Sequence, residues 1–166
     1  MQRHRWCLGV TTLNGMIYAV GGLDSTQINR VAEMLDPRQG EWISLPSMMN
    51  RRYYFGLAAV DGLLYAAGGY DGSDLLNSVE VYDPRACRWT TAQPMPKERW
   101  QADAAVFRDQ IVVVGGLDKS GKALPSAEVV PHIGNFFELI WLAAQFLRML
   151  SHIHPDDRAI DLGRAN

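Results

Sequence analysis

Arginine recurs at positions 5, 52 and 99, each followed at once by an aromatic residue: Trp6, Tyr53 or Trp100. Successive members of the set stand 47 residues apart. A guanidinium is always charged, and its fork of donors fits a carboxylate or a phosphate bidentately. The chemistry this residue type offers is therefore recognition of acidic groups. A second set, His152, His154, Asp156 and Asp157, is of metal-ligating type. No further ligand group stands upstream at a metal-site spacing, so a solvated tail without metal is the expectation. The sequence contains no G-x-S-x-G, P-loop, H-E-x-x-H or cysteine–histidine arrangement. It reads as a non-enzymatic chain that needs no cofactor.

The chain has 166 residues, 48% hydrophobic and 20% charged, enough for one compact domain with a buried core. A net charge of −2 counts against binding nucleic acid or a membrane surface through bulk positive charge. The two cysteines, Cys7 and Cys87, make no CxxC pair and no disulfide framework, which suits a reducing compartment. No apolar run follows Met1, and the longest, FFELIWLAAQFLRML, is 15 residues with Glu138 and Arg148 inside it. That is too short and too polar to span a bilayer. A cytoplasmic location is expected.

What would hold the arginines in place is a repeat. The glycine pairs Gly21-Gly22, Gly68-Gly69 and Gly115-Gly116 keep the same 47-residue step. So do Glu33 and Glu80, Trp42 and Trp89, and the pairs Asp36-Pro37 and Asp83-Pro84. Within each unit apolar residues alternate at period two between turn residues. GLAAV, the turn Asp61-Gly62 and LLYAAGG read as a β-hairpin, and Asn14-Gly15 marks its counterpart in the first unit. SVEVYDP and RWTT supply third and fourth strands. Four short antiparallel strands per unit predict stacked blades. The glycine pairs suit strand ends where φ must turn positive. The aromatics Tyr82, Trp42 and Trp89 are expected to fill the gaps between blades.

The units resemble kelch repeats, and the string GG…DG…NSVEVYDP…W…PM…R is similar to the version found in BTB-kelch proteins. The resemblance covers residues 5 to 130. It implies an all-β, incomplete kelch β-propeller within residues 1–130: full four-stranded blades at about 5–51 and 52–98, and part of a third at 99–130. The third unit departs from the pattern, with a loop from Gly116 to Glu128 one residue longer than that from Gly69 to Glu80. Val130-Pro131-His132 then stands where the second unit has Tyr82-Asp83-Pro84. The non-kelch tail, 131–166, carries a polar stripe of Glu138, Gln145, Arg148 and His152 on an otherwise apolar face, with Phe137 where a tryptophan is due. An amphipathic helix is predicted over about 135–150. Propellers have four to eight blades, so a fragment or truncated form of a longer protein is expected, with self-association through open blade edges as another outcome.

The resemblance implies a protein-interaction module: substrate recognition for a cullin-type ubiquitin ligase, with association with actin and the cytoskeleton as the alternative. Copper oxidases also occur on kelch-type propellers, but the histidines here are only His4, His132, His152 and His154. Carried over from the family, the partner-binding candidates are Arg5, Arg52 and Arg99 from the joining loops. Asp24, Ser25, Asn29, Arg30, Tyr70, Asp71, Ser73 and Asp74 come from the loops after the glycine pairs. With the arginines on one rim, the partner would be an acidic or phosphorylated peptide. A structural reading of the same arginines is equally open: they hold the loops by hydrogen bonds to carbonyl groups and touch no ligand.

Overall fold

The computed structural model describes residue 1 and residues 4–131. The predicted helix at about 135–150, Phe137 and the group His152, His154, Asp156 and Asp157 lie outside the described residues.

Among the described residues, eleven strands form three antiparallel sheets. The first contains β1 (Gly9–Leu13), β2 (Met16–Val20), β3 (Ala32–Leu35) and β4 (Trp42–Leu45), side by side in chain order. The second repeats it with β5 (Gly56–Val60), β6 (Leu63–Ala67), β7 (Val79–Asp83) and β8 (Arg88–Ala92). The third holds β9 (Asp103–Phe107), β10 (Gln110–Val114) and β11 (Ala127–Val130), after which Pro131, without an N–H to donate, closes the ladder. This is the architecture of incomplete propeller blades. The first hairpin in each sheet turns through two residues of positive φ, the condition that matches strand twist. Asn14-Gly15 and Asp61-Gly62 meet it with a glycine, whereas Arg108-Asp109 meets it with none.

Strand alternation puts side chains on both faces, and the middle sheet buries both. Leu57, Leu64, Ala66, Tyr82 and Trp89 face the first sheet and meet Tyr18, Val20, Ala32 and Met48. Ala58, Val60, Tyr65, Val79 and Val81 face the third and meet Ile111, Val113 and Val130. Tyr82 stacks obliquely on Trp89 at 5.2 Å, and the Trp89 indole donates to the Pro46 carbonyl at 2.8 Å. Trp42, its counterpart, is half-buried and lies in neither core.

The sheets stack closely because glycine permits it. A Cβ on Gly9 would stand 2.6 Å from the Leu57 Cβ, and one on Gly56 would stand 2.7 Å from the Ala104 Cβ. At the matching place in the third sheet stands Asp103, exposed. The outer sheets show apolar faces to solvent, through Val10 on the first and Phe107, Val114 and Val129 on the third.

Candidate partner-binding rim

The strand registers define two ends. Gly9, Val20, Ala32 and Leu45 line up at one end of the first sheet, and Leu13, Met16, Leu35 and Trp42 at the other. The loops after the glycine pairs (21–31, 68–78 and 115–126) therefore leave from the same end as the joining segments 46–55 and 93–102. This end is the rim.

Beneath it lie the three arginines. The Arg52 Nη1 donates to the Gly68 carbonyl at 2.7 Å and to the Ser78 carbonyl at 3.2 Å, while Nη2 reaches Glu80 at 2.6 Å. Arg5 does the same with Gly21, Val31 and Glu33, and Arg99 with Gly115, Ser126 and Glu128. Arg5 is 7% exposed, and Arg52 and Arg99 are 0% exposed. Only the Nε of each lacks a hydrogen-bond partner. Burial pulls the Arg52 guanidinium below its ordinary value, and Glu80 opposes that shift.

The expectation that these residues offer guanidinium forks to a partner is corrected on this point. Their forks close on internal carbonyls and carboxylates, because a buried arginine must find a compensating charge. The ground for an acidic or phosphorylated peptide goes with it.

The glycine pairs complete the clamp. Gly68 has φ +72, and a Cβ there would stand 2.6 Å from the Arg99 carbonyl oxygen. Gly69 donates to that same oxygen at 2.9 Å, as Gly22 does to Arg52. The first two glycine pairs thus bind the next blade's arginine through its backbone, while in all three blades the blade's own arginine holds the first glycine's carbonyl.

Above the arginines an aspartate pins each loop. The Asp71 Oδ1 accepts from the Ser73 and Asp74 amides at 2.7 and 2.8 Å. Asp24 accepts from Thr26 and Gln27 and, through Oδ2, from the Asn29 amide group at 3.0 Å. Asp118 accepts from Ser120 and Lys122. All three carboxyls are held below the usual aspartate range: Asp24 chiefly by the Thr26 hydroxyl, Asp71 by the Asp74 amide and Asp118 by the Ser120 hydroxyl. The third loop's extra residue is absorbed here. The Asp118 amide bonds to the Lys122 carbonyl, four residues on, where Asp71 bonds to Asp74, three on. Gly121, at φ +77, takes the added bend.

Between successive loops, two clefts border the rim aromatics. The first, about 640 Å³, is bordered by Trp6, Leu23, Ser25, Ile28, Arg51 and Asp71. The second, about 440 Å³, is walled by Tyr53, Tyr70 and Trp100, with Asp74, Asp118 and Lys119 at its edge. Of the candidates read from sequence, Asp24, Ser25, Asp71 and Ser73 line the first cleft, and Tyr70, Ser73 and Asp74 the second. Asn29 is buried beneath its loop, Arg30 is exposed, and neither borders a cleft. Sequence reasoning assigned Tyr70 to the site but not Trp6, Tyr53 or Trp100. Each pairs with the residue after a glycine pair through two backbone hydrogen bonds, Tyr53 with Tyr70 and Trp100 with Leu117. The sequence signal for them was their fixed place after each arginine.

Among the described residues no cluster of histidine, cysteine, aspartate and glutamate is arranged to hold a metal ion. Both cysteines are free. No helix among the described residues is long and apolar enough to cross a membrane. In comparison with known families, the Kelch motif matches residues 4–49 and 51–96. No curated protein matches the chain.

Proposed function

Because the chain belongs to the kelch-repeat family, we propose that it is a non-catalytic interaction module that holds a protein partner on its rim. Kelch repeats commonly mediate protein–protein contact, and loops fixed on a rigid scaffold are the usual place for it. The observation that carries the reading is the row of accessible aromatics above the buried arginines. Trp6 is 49% and Tyr54 38% exposed, beside half-buried Tyr53, Tyr70 and Trp100. Tyrosine and tryptophan on a preorganised surface give contact area at little cost in entropy, which is why they dominate interface hot spots.

The setting proposed is cytoplasmic substrate recognition for a cullin-type ubiquitin ligase, on the similarity of the repeat to that of BTB-kelch proteins. The apolar outer faces at Val10, Phe107, Val114 and Val129 support reading these blades as part of a larger propeller.

The test compares affinity capture by the intact chain, by a Trp6→Ala/Tyr70→Ala variant and by an Asn14→Ser variant at the opposite end. Loss of the captured partner with the rim variant alone is expected. Retention by the rim variant, or equal loss with both, would contradict the proposal. Accumulation of that partner when cullins are inhibited is the result expected of the ligase setting; an unchanged level would count against it.

A further inference from the structure

The second rim cleft has a chemical character of its own. Three ring systems wall it, with centroids 5.9 Å apart for Tyr53 and Tyr70 and 6.3 Å for Tyr70 and Trp100. Tyr54 backs Trp100 edge-on at 5.8 Å, fixing the indole's orientation. The carboxylates at its edge are Asp74 and Asp118, and its one lining cation, Lys119, is paired with Glu98 at 3.0 Å. Arg52 and Arg99, which would make the region basic, are enclosed with Glu80 and Glu128. The cleft therefore presents π faces and an edge with two carboxylates, Asp74 and Asp118, to one ammonium, Lys119.

We propose that this cleft takes an arginine side chain of a peptide partner, stacked against Tyr70 and Trp100 with its charge toward Asp74. The assignment rests on the reading of the rim as the partner surface. Aromatic faces attract cations through the ring quadrupole, and guanidinium both stacks on rings and forks onto a carboxylate. A volume of about 440 Å³ falls within the range of pockets that enclose a small ligand. A phosphate or carboxylate entering here would meet Asp74 and Asp118, with Lys119 shared with Glu98. The first cleft also carries two carboxylates, Asp24 and Asp71, but it has a single ring system, Trp6, and the exposed Arg51 on its border. Tyr70 makes the difference. The residues in its place elsewhere are Leu23 and Leu117, so one loop alone carries an aromatic after its glycine pair.

The experiment is a titration of the full chain, labelled with ¹⁵N, with the peptide acetyl-Gly-Ser-Arg-Ser-Gly-amide and its citrulline and glutamate counterparts. The Trp100 indole signal is assigned from a Trp100→Leu spectrum. Saturable shifts at Trp100 are expected with the arginine peptide, and roughly five- to thirtyfold weaker binding with citrulline, which keeps the shape and loses the charge. Asp74→Asn, an exposed change that leaves the fold intact, should weaken binding roughly two- to fivefold. Equal binding of citrulline, preference for glutamate, or no shift at Trp100 at millimolar peptide would overturn the assignment. If the arginine peptide fails while rim variants still lose the partner, the cleft chemistry is wrong and the interaction rim stands. If it binds while partner capture ignores the rim variants, the module reading fails instead.

Discussion

Glu80 meets Arg52 at 2.6 Å in an interior where neither side chain retains any exposure. The same carboxylate accepts from the Met49 and Asn50 amides at 2.6 and 3.0 Å. One residue thus ties the segment leaving the first sheet to the arginine entering the second. Removing one partner of a buried pair leaves a charge with no compensation, and that penalty exceeds the net worth of the pair.

Arg52→Met should therefore lower stability by about 3–5 kcal/mol, read as a lower urea midpoint. Arg99→Met should cost less, because Glu128 retains 11% exposure where Glu80 retains none. Equal, small effects at both positions would show that the arginines are not the clamps described.

Stacking of the sheets predicts a coupled pair. Gly56→Ala should destabilise by about 1–3 kcal/mol through overpacking, since the new methyl would meet the Ala104 Cβ at 2.7 Å. Adding Ala104→Gly should recover part of that loss, and a double-mutant cycle measures the coupling. Strict additivity would place the strain elsewhere.

The two repeat tryptophans should differ. Trp89 is 8% exposed and bonded to Pro46, so Trp89→Ala should cost about 3–5 kcal/mol. Trp42 is half-buried on the outer sheet, and its replacement by alanine should cost less than half as much. Denaturant titration of both variants decides it, and equal losses would mean that the outer face of the first sheet is covered.

Much of this was legible beforehand. Asn14-Gly15 and Asp61-Gly62 announced hairpins because a two-residue turn needs positive φ, but Arg108-Asp109 does the same work without a glycine. The arginines were legible as a series, yet their direction was not. Which way a guanidinium points depends on a glutamate 28 or 29 residues later in the chain, brought close only by strand pairing. Glu33 and Glu80 keep the 47-residue step in the sequence, but the step alone does not match them to the arginines. The second cleft escaped for a similar reason, because its walls come from two loops and two joining segments of neighbouring blades. Asp24 and Asp71, binding candidates through the family resemblance, border the first cleft and also fold the loops that carry them.

Those loop aspartates make the rim sensitive to acid. Asp24, Asp71 and Asp118 all sit below the ordinary value of 3.8 when folded. A depressed native value adds stability that is complete above the unfolded value and is lost as pH falls through the native ones. The thermal midpoint should hold from pH 7 to about 5 and then fall below pH 4. Asp24→Asn should flatten that fall, and a fall as steep as in the unmodified chain would remove Asp24 from the account.

Arginines inside hold the blades, and the aromatics on the rim are proposed to hold the partner. Hydrogen exchange on the chain with its captured partner bound tests this most directly. Protection gained on binding should concentrate in residues 70–74 and 117–121, with the turns at 14–15, 61–62 and 108–109 unchanged. Protection confined to those turns, or to β9 and β11 on the outer face of the third sheet, would contradict it.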